Sequence, residues 1–389
     1  MRVRLIKLLA VLSATAVAVV VAMTVVEIWV RLRWDEKRGM PGFYLSDPVL
    51  GQRLAPNYTG WFAGVPVRIN SLGFRDTRDY ALEKSPNTFR ILVLGDSVTF
   101  GHGALSETTY PFLLEQELKR WRGDIDWQVW NLGVPGYNTS TELRYLEEVG
   151  PRYQPDLVVV GFYENDLADN SIPSHPSPAR RALSAAQRAM QRHLYSHELY
   201  KRIALTLHWR IFTQTPDRRR IEALAEDAAL LKPSDLSALP AQQLSRVDRF
   251  DDVWTYQCPQ RDTNPNRDRL AVHLAADSEE MRAWRAAVAE FQRLHRNREY
   301  RVAFFINMAP NVCPDADRFF DGGVLEDEAA LRQILENGTP VGSSVREFLA
   351  YRPSQMPGAS GHSYGNSNRV KAEALFAFLR DAGLLAARP

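Results

Sequence analysis

Ile91-Leu92-Val93-Leu94-Gly95-Asp96-Ser97-Val98-Thr99-Phe100-Gly101 is the stretch from which the remainder of the chain can be read. A short unbroken run of apolar residues reads as a strand buried on both faces, and this one stops at a glycine. A small hydroxyl residue, Ser97, follows immediately, and a helical pattern begins near Tyr110. In open α/β sheets, ligands bind outside the carboxyl ends of parallel strands. Ser97 is therefore a candidate nucleophile, and later segments are expected to supply its helpers.

Working outward, four apolar runs emerge: Phe89–Leu94, Trp127–Asn131, Asp156–Phe162 and Arg301–Asn307. Helical patterns separate them. Tyr110–Trp121 places Leu113, Leu114, Leu118 and Trp121 on one side, Ser140–Val149 opens with a Ser-Thr-Glu capping sequence, and Met281–His295 precedes the fourth run. Strand–helix alternation predicts right-handed crossovers and a parallel sheet covered on both faces. Every strand-to-helix loop of such a sheet leaves from the same edge. Ser97 after the first run, Gly136 after the second and Asn165 after the third thus share one rim.

That set suits acyl transfer. A serine attacking an ester carbonyl creates a tetrahedral oxyanion, which needs preplaced donors. The backbone N–H groups of Ser97 and Gly136 and the side-chain amide of Asn165 make three. Gly136 lies in Asn131-Leu132-Gly133-Val134-Pro135-Gly136-Tyr137-Asn138, where the missing Cβ lets the backbone approach a ligand. The base is sought near the carboxyl end, in Gly361-His362-Ser363-Tyr364-Gly365-Asn366, just before a helix with Val370, Ala374, Leu375, Phe378 and Leu379 on its apolar face. His362 is expected to take the proton from Ser97 and return it to the leaving group. His102 is read as lining the loop after the nucleophile, and Asp96 as supporting the turn.

Gly95-Asp96-Ser97, Gly136, Asn165-Asp166 and His362 fall in the order and contexts of four blocks, and on these the chain resembles the SGNH (GDSL-type) hydrolases. The resemblance runs over residues 89–385, with a long interruption after the third block. It implies a flavodoxin-like three-layer α/β/α sandwich, a serine esterase or lipase-like activity on an acyl ester, and no metal or organic cofactor. The upstream Asn70-Ser71-Leu72-Gly73-Phe74-Arg75-Asp76 also resembles membrane-anchored bacterial members. Two departures stand out. Tyr163 occupies the place of the glycine in the third block, and Ala359 stands three residues before His362, where the family's acid usually sits. Either a backbone carbonyl orients the imidazole, giving a Ser–His dyad, or an acid arrives from Asp315, Asp317 or Asp321. The α/β-hydrolase elbow, Gly-x-Ser-x-Gly, is set aside because Thr99 fills its last position.

Composition bounds the remaining options. The chain has 389 residues, 45% hydrophobic and 24% charged, with a net charge of +2 and no single basic stripe, so nothing resembles a nucleic-acid footprint. The two cysteines, Cys258 and Cys313, lack zinc-ligand spacing, and one bridge or two separate thiols remain open. Residues 1–7 form a basic tail with Arg2, Arg4 and Lys7, and 8–30 are almost wholly apolar, about 34 Å as a helix. That length favours an uncleaved single-pass anchor over a signal peptide. Basic residues flank both ends, so the expected topology (amino terminus inside, domain on the periplasmic side) follows from a signal-anchor rather than from charge asymmetry.

Residues 31–88 read as a juxtamembrane and lead-in segment, with a strand at Val65–Asn70 and a turn at Asn70–Gly73. Residues 89–170 and 281–385 make up the hydrolase-like domain, and 171–280 an inserted, mainly helical subdomain with helical patterns at Ala182–Phe212 and Ile221–Leu231. The insertion reads as a cap over the rim, or as a partner-binding or membrane-surface element given Arg180, Arg181, Arg188, Arg192, Lys201, Arg202 and Arg210. The favoured function is a membrane-anchored serine esterase hydrolysing or transferring O-acyl groups on an envelope glycan or lipid. A reading from another class, motivated by Ala359, is a non-catalytic glycan-binding or scaffold protein of an envelope polysaccharide assembly.

Overall fold

A computed structural model describes residues 2–34, 41–63, 65–168, 170–171, 176–197, 199–200, 270–308, 310–313, 318–320, 323–352, 355–356 and 362–386. The chain opens with α1 (Arg2–Leu32), followed by two hairpins, β1 (Tyr44–Asp47) with β2 (Gly51–Leu54) and β3 (Thr59–Phe62) with β4 (Val65–Arg68). Then come β5 (Thr88–Gly95), the short α2 (Ser97–Phe100), α3 (Tyr110–Trp121), β6 (Asp126–Asn131), α4 (Thr139–Tyr153) and β7 (Leu157–Phe162). After α5 (Pro178–His193), the described chain resumes at α6 (Leu270–Ala275) and α7 (Glu279–Arg296). It continues through β8 (Val302–Ile306), the small pair β9 (Asn311–Cys313) and β10 (Arg318–Phe320), α8 (Val324–Leu335), β11 (Val341–Ser343), α9 (Val345–Leu349) and α10 (Gly365–Asp381).

The four expected runs become β5, β6, β7 and β8, joined by β11 in one parallel sheet of order β11-β8-β7-β5-β6. Counted along the chain, the order is 2-1-3-4-5, the flavodoxin-like arrangement, and its switch point lies between β5 and β7. β11 was not expected: three residues are too few to show a period, and only pairing with β8 makes them a strand.

Period-two alternation sorts the strand side chains into two layers. Leu92, Leu94, Val158, Val160, Phe304 and Ile306 pack on one face with Leu143 and Leu146 of α4 and Trp284, Val288 and Phe291 of α7. Ile91, Val93, Val159, Ala303 and Phe305 pack on the other with Leu114 and Leu118 of α3 and Leu375 and Leu379 of α10. Each such burial is worth about 1.5–3 kcal/mol, so the two rows outweigh local propensity along the strands. The lead-in belongs to the first layer, since Leu45, Leu54, Val67 and Phe74 join the cluster that holds Phe100 and Trp130.

Expected boundaries differ from the structure where caps decide them. α4 begins one residue early because Asn138 supplies the cap, its side chain accepting from the N–H of Thr141 at 3.1 Å. α5 ends at His193, inside the expected Ala182–Phe212 pattern; residues 201–212, the Ile221–Leu231 pattern and Cys258 lie outside the described residues. Leu9–Leu32 of α1 is long and apolar enough to cross a membrane by length and composition.

Candidate active site

Ser97 is the first residue of α2, directly beyond the carboxyl end of β5 and at the switch point. The turn is built by Asp96, whose Oδ1 accepts from the N–H of Val98 at 2.8 Å, the supporting role expected of it. The loop beyond is gripped from the lead-in. The buried Arg75 guanidinium donates to the carbonyls of Phe100, Gly101 and Ala104 at 2.9, 2.5 and 2.5 Å and lies 4.6 Å from the Phe100 ring centroid. Sequence alone marked Arg75 only as part of a resembling segment. Its role depends on a carbonyl triplet some 25 residues away, which no local pattern announces.

His362 arrives on the loop before α10, and its Nε2 lies 2.8 Å from the Oγ of Ser97. The imidazole stacks on that of His102, with ring centroids 4.2 Å apart and planes 26° apart. Phe62 of β3 meets the His102 ring edge-on at 5.1 Å. His102 is thus more than loop lining: it forms one wall for the candidate base. Tyr364 packs over Gly103, where a Cβ would come within 2.7 Å of Cε1 of the tyrosine ring. The acid positions raised by the sequence, Ala359 and Asp315, Asp317 and Asp321, all lie outside the described residues.

Asn165 sits on the 3-10 turn Glu164–Leu167 after β7, and its Nδ2 donates to Asp96 Oδ2 at 2.8 Å. One amide hydrogen is thereby committed to Asp96. Asp166 closes this turn by accepting from the N–H of Tyr163 at 2.8 Å. Tyr163 itself is extended, with φ −130° and ψ 163°, a conformation open to any residue, so the absent glycine costs the turn nothing. Gly136 has φ +85°, which favours glycine. Its turn is anchored to the same edge, with Val134 N–H donating to Gly95 O at 3.0 Å and Gln52 Nε2 donating to Pro135 O at 2.8 Å. Ser97, the Gly136 turn and Asn165 thus follow the carboxyl ends of β5, β6 and β7, and direct contact joins Ser97 to His362, and Asn165 to Ser97's neighbour Asp96.

Three buried ionisable side chains, Glu142, Asp166 and Lys371, lie within electrostatic reach of Asp96. Burial, reinforced by the negative charge of Asp96, pushes the Glu142 carboxyl well above the usual carboxylate range. Burial, then Glu142 and Asp96, does the same to Asp166. Burial also drives the Lys371 ammonium of α10 down to about 7, against the pull of Asp96. Both oxygens of Glu142, Oδ1 of Asp166 and Nζ of Lys371 lack a hydrogen-bond partner among the described residues. The sequence presents Glu142 only as part of a capping sequence and gives Lys371 no place; their burial follows from how α4 and α10 dock on the sheet. No group of three or more metal-ligating side chains occurs among the described residues.

Solved structures of low similarity match the chain. LAE5, an alpha/beta hydrolase enzyme from the metagenome of Lake Arreo, Spain, is 13% identical over 77% of this chain and 97% of its own, with a TM-score of 0.37. Axe2, an acetyl xylan esterase from Geobacillus stearothermophilus, is 13% identical over 77% and 97%, with a TM-score of 0.35. The lipase Lip_vut3 from a goat rumen metagenome is 13% identical over 75% and 97%, at 0.34. At these scores the likenesses carry no argument about substrate. No curated protein matches the chain. The family model for GDSL-like lipases and acylhydrolases matches residues 93–322, more than half of the chain, from β5 through the switch point and beyond β8. On that match the chain belongs to the GDSL-like lipase/acylhydrolase family of ester hydrolases.

Proposed function

We propose that the chain is a membrane-anchored serine esterase in which Ser97 is the nucleophile and His362 the general base. The observation that carries this reading is the 2.8 Å approach of His362 Nε2 to Ser97 Oγ at the carboxyl edge of the sheet. Ser97 Oγ bonds to the ester carbonyl carbon as its proton passes to Nε2. The carbonyl electrons move to oxygen, and that oxyanion is received by the N–H groups of Ser97 and Gly136 and by the second amide hydrogen of Asn165. Collapse breaks the bond to the alkoxide, which leaves with the proton from Nε2. A water, or an acceptor hydroxyl, then gives its proton to Nε2 and attacks the acyl-enzyme, restoring Ser97 and releasing the acid or the transferred ester.

The anchor is α1, with the catalytic body on the periplasmic side. A hydrolase held beside an envelope fits O-acyl groups on an envelope glycan or lipid as substrate. A fluorophosphonate probe tests the chemistry: intact mass of the full chain in detergent should rise by one adduct, and Ser97→Ala should take none. Equal labelling of both, or of neither while both remain folded, ends the assignment of Ser97.

A further inference from the structure

His102 touches both halves of the Ser97–His362 contact. Gly101 ends α2 in the left-handed region, φ +81°, and its N–H donates to the carbonyls of Ser97 and Val98 at 3.0 and 3.2 Å. The next N–H, that of His102, donates to Ser97 O at 3.0 Å. A helix closed by glycine ties the following residue back to its last turn in this way. His102 is thereby rooted in the turn that carries the nucleophile. From there its ring lies on the His362 imidazole, centroids 4.2 Å and planes 26° apart. One residue holds the serine turn through its main chain and the imidazole through its side chain.

The stack bears on reactivity because of where the Nε2 lone pair points. That lone pair lies in the plane of the imidazole, so Nε2 accepts from Ser97 Oγ, 2.8 Å away, only while the plane is aimed at that oxygen. The χ2 torsion of histidine is broad and sets little by itself. A ring packed face to face on a second ring cannot turn about χ2 without opening the contact. The second ring is itself backed. Phe62 of β3 meets His102 at 5.1 Å and 87°, stacks on Phe43 at 4.2 Å and 21°, and meets buried Phe100 at 5.6 Å. The series Phe43, Phe62, His102 and His362 thus runs from the lead-in to the imidazole, and Phe62 lies ahead of residues 93–322, the span of the family match.

We propose that His102 is a positioning residue of the esterase reaction: its ring sets the plane of the His362 imidazole on Ser97 Oγ, and Phe62 keeps that ring in place. The inference rests on the reading of His362 as the base. His102 acts as a planar ring and moves no proton, so a different planar ring should serve in its place.

The test measures kcat and KM on a nitrophenyl ester for the full chain in detergent, with kcat divided by the fraction of Ser97 that fluorophosphonate labels at completion. A merely structural loss lowers that fraction and leaves kcat per labelled site alone. His102→Ala and His102→Leu should lower kcat per labelled site about tenfold with KM within about twofold, because a misaimed base slows the chemical step and not binding. His102→Phe should recover the rate to within about threefold of the parent, and Phe62→Leu should cost about threefold. Parent rates in both His102→Ala and His102→Leu, or His102→Phe as slow as His102→Ala, overturn the proposal and, with His362→Ala inactive, leave the base standing. Should the His102 variants take no label, Phe62→Leu decides, and a parent rate there overturns the proposal. His362→Ala at the parent rate overturns both.

Discussion

The two loops that meet at the Ser97–His362 contact are held in different ways. The nucleophile turn is built into the body of the fold: Asp96 caps α2, and Arg75 from the lead-in clamps three carbonyls of the loop after it. The histidine loop is fastened from α10 by Asn368, whose Nδ2 donates to Ser363 O at 2.8 Å, and rests on the nucleophile's own loop through the His102 stack and the Tyr364–Gly103 contact. The difference teaches that one side is organised by the sheet and the other takes its place from the first. Disturbing the serine side should therefore move both, and disturbing the histidine side should move only itself.

The largest expected effect removes the contact where the loops meet. Ser97→Ala or His362→Ala should each lower kcat for a nitrophenyl ester by about 10⁴-fold or more, and the double variant should fall no further, because the pair acts as one unit. Additive losses would show that the loops work separately. Next, Asn165→Ala should cost about 10²–10³ in kcat with little change in KM, the signature of a donor used in the transition state. A rise in KM alone would instead assign Asn165 to substrate binding.

Arg75→Met should cost about 3 kcal/mol of stability in denaturant melts, since it orphans three carbonyls. If the comparison is right, the folded fraction should also lose activity, although Arg75 is remote from the rim in sequence. Gly103→Ala sharpens the other half. Its φ of +76° and the Tyr364 ring together make the extra methyl cost about 1 kcal/mol, read as a lower melting temperature and a modest drop in kcat, with fluorophosphonate labelling of Ser97 retained.

The smallest effect concerns the buried carboxyls within electrostatic reach of Asp96. Glu142 has a folded pKa above its ordinary 4.5, so the folded state holds a proton that the unfolded chain gives up. Its contribution is fully favourable below pH 4.5 and is lost as pH rises toward the folded value. Glu142→Gln keeps the shape and removes the titration. It should melt about level with the parent at pH 4 and about 1 kcal/mol more stably at pH 8. A difference independent of pH would mean that Glu142 is not protonated in the fold.

Much of this molecule is legible in one dimension. Apolar runs ending in Gly95, Asn131 and Phe162 announce the central strands, and their alternation with helical patterns is enough to predict a parallel sheet and hence one shared rim for Ser97, Gly136 and Asn165. Strand periodicity and glycine punctuation are local, so they survive in the linear order of residues. What the tertiary structure alone decided is non-local. β11 exists because β8 offers its edge, Arg75 matters because three distant carbonyls converge on it, and His102 becomes a wall because His362 folds back across 260 residues to stack on it. Glu142 and Lys371 are ionisable residues on ordinary helices until docking buries them. Burial and long-range hydrogen bonding belong to pairs of segments brought together by folding, and no single segment carries a record of its partner.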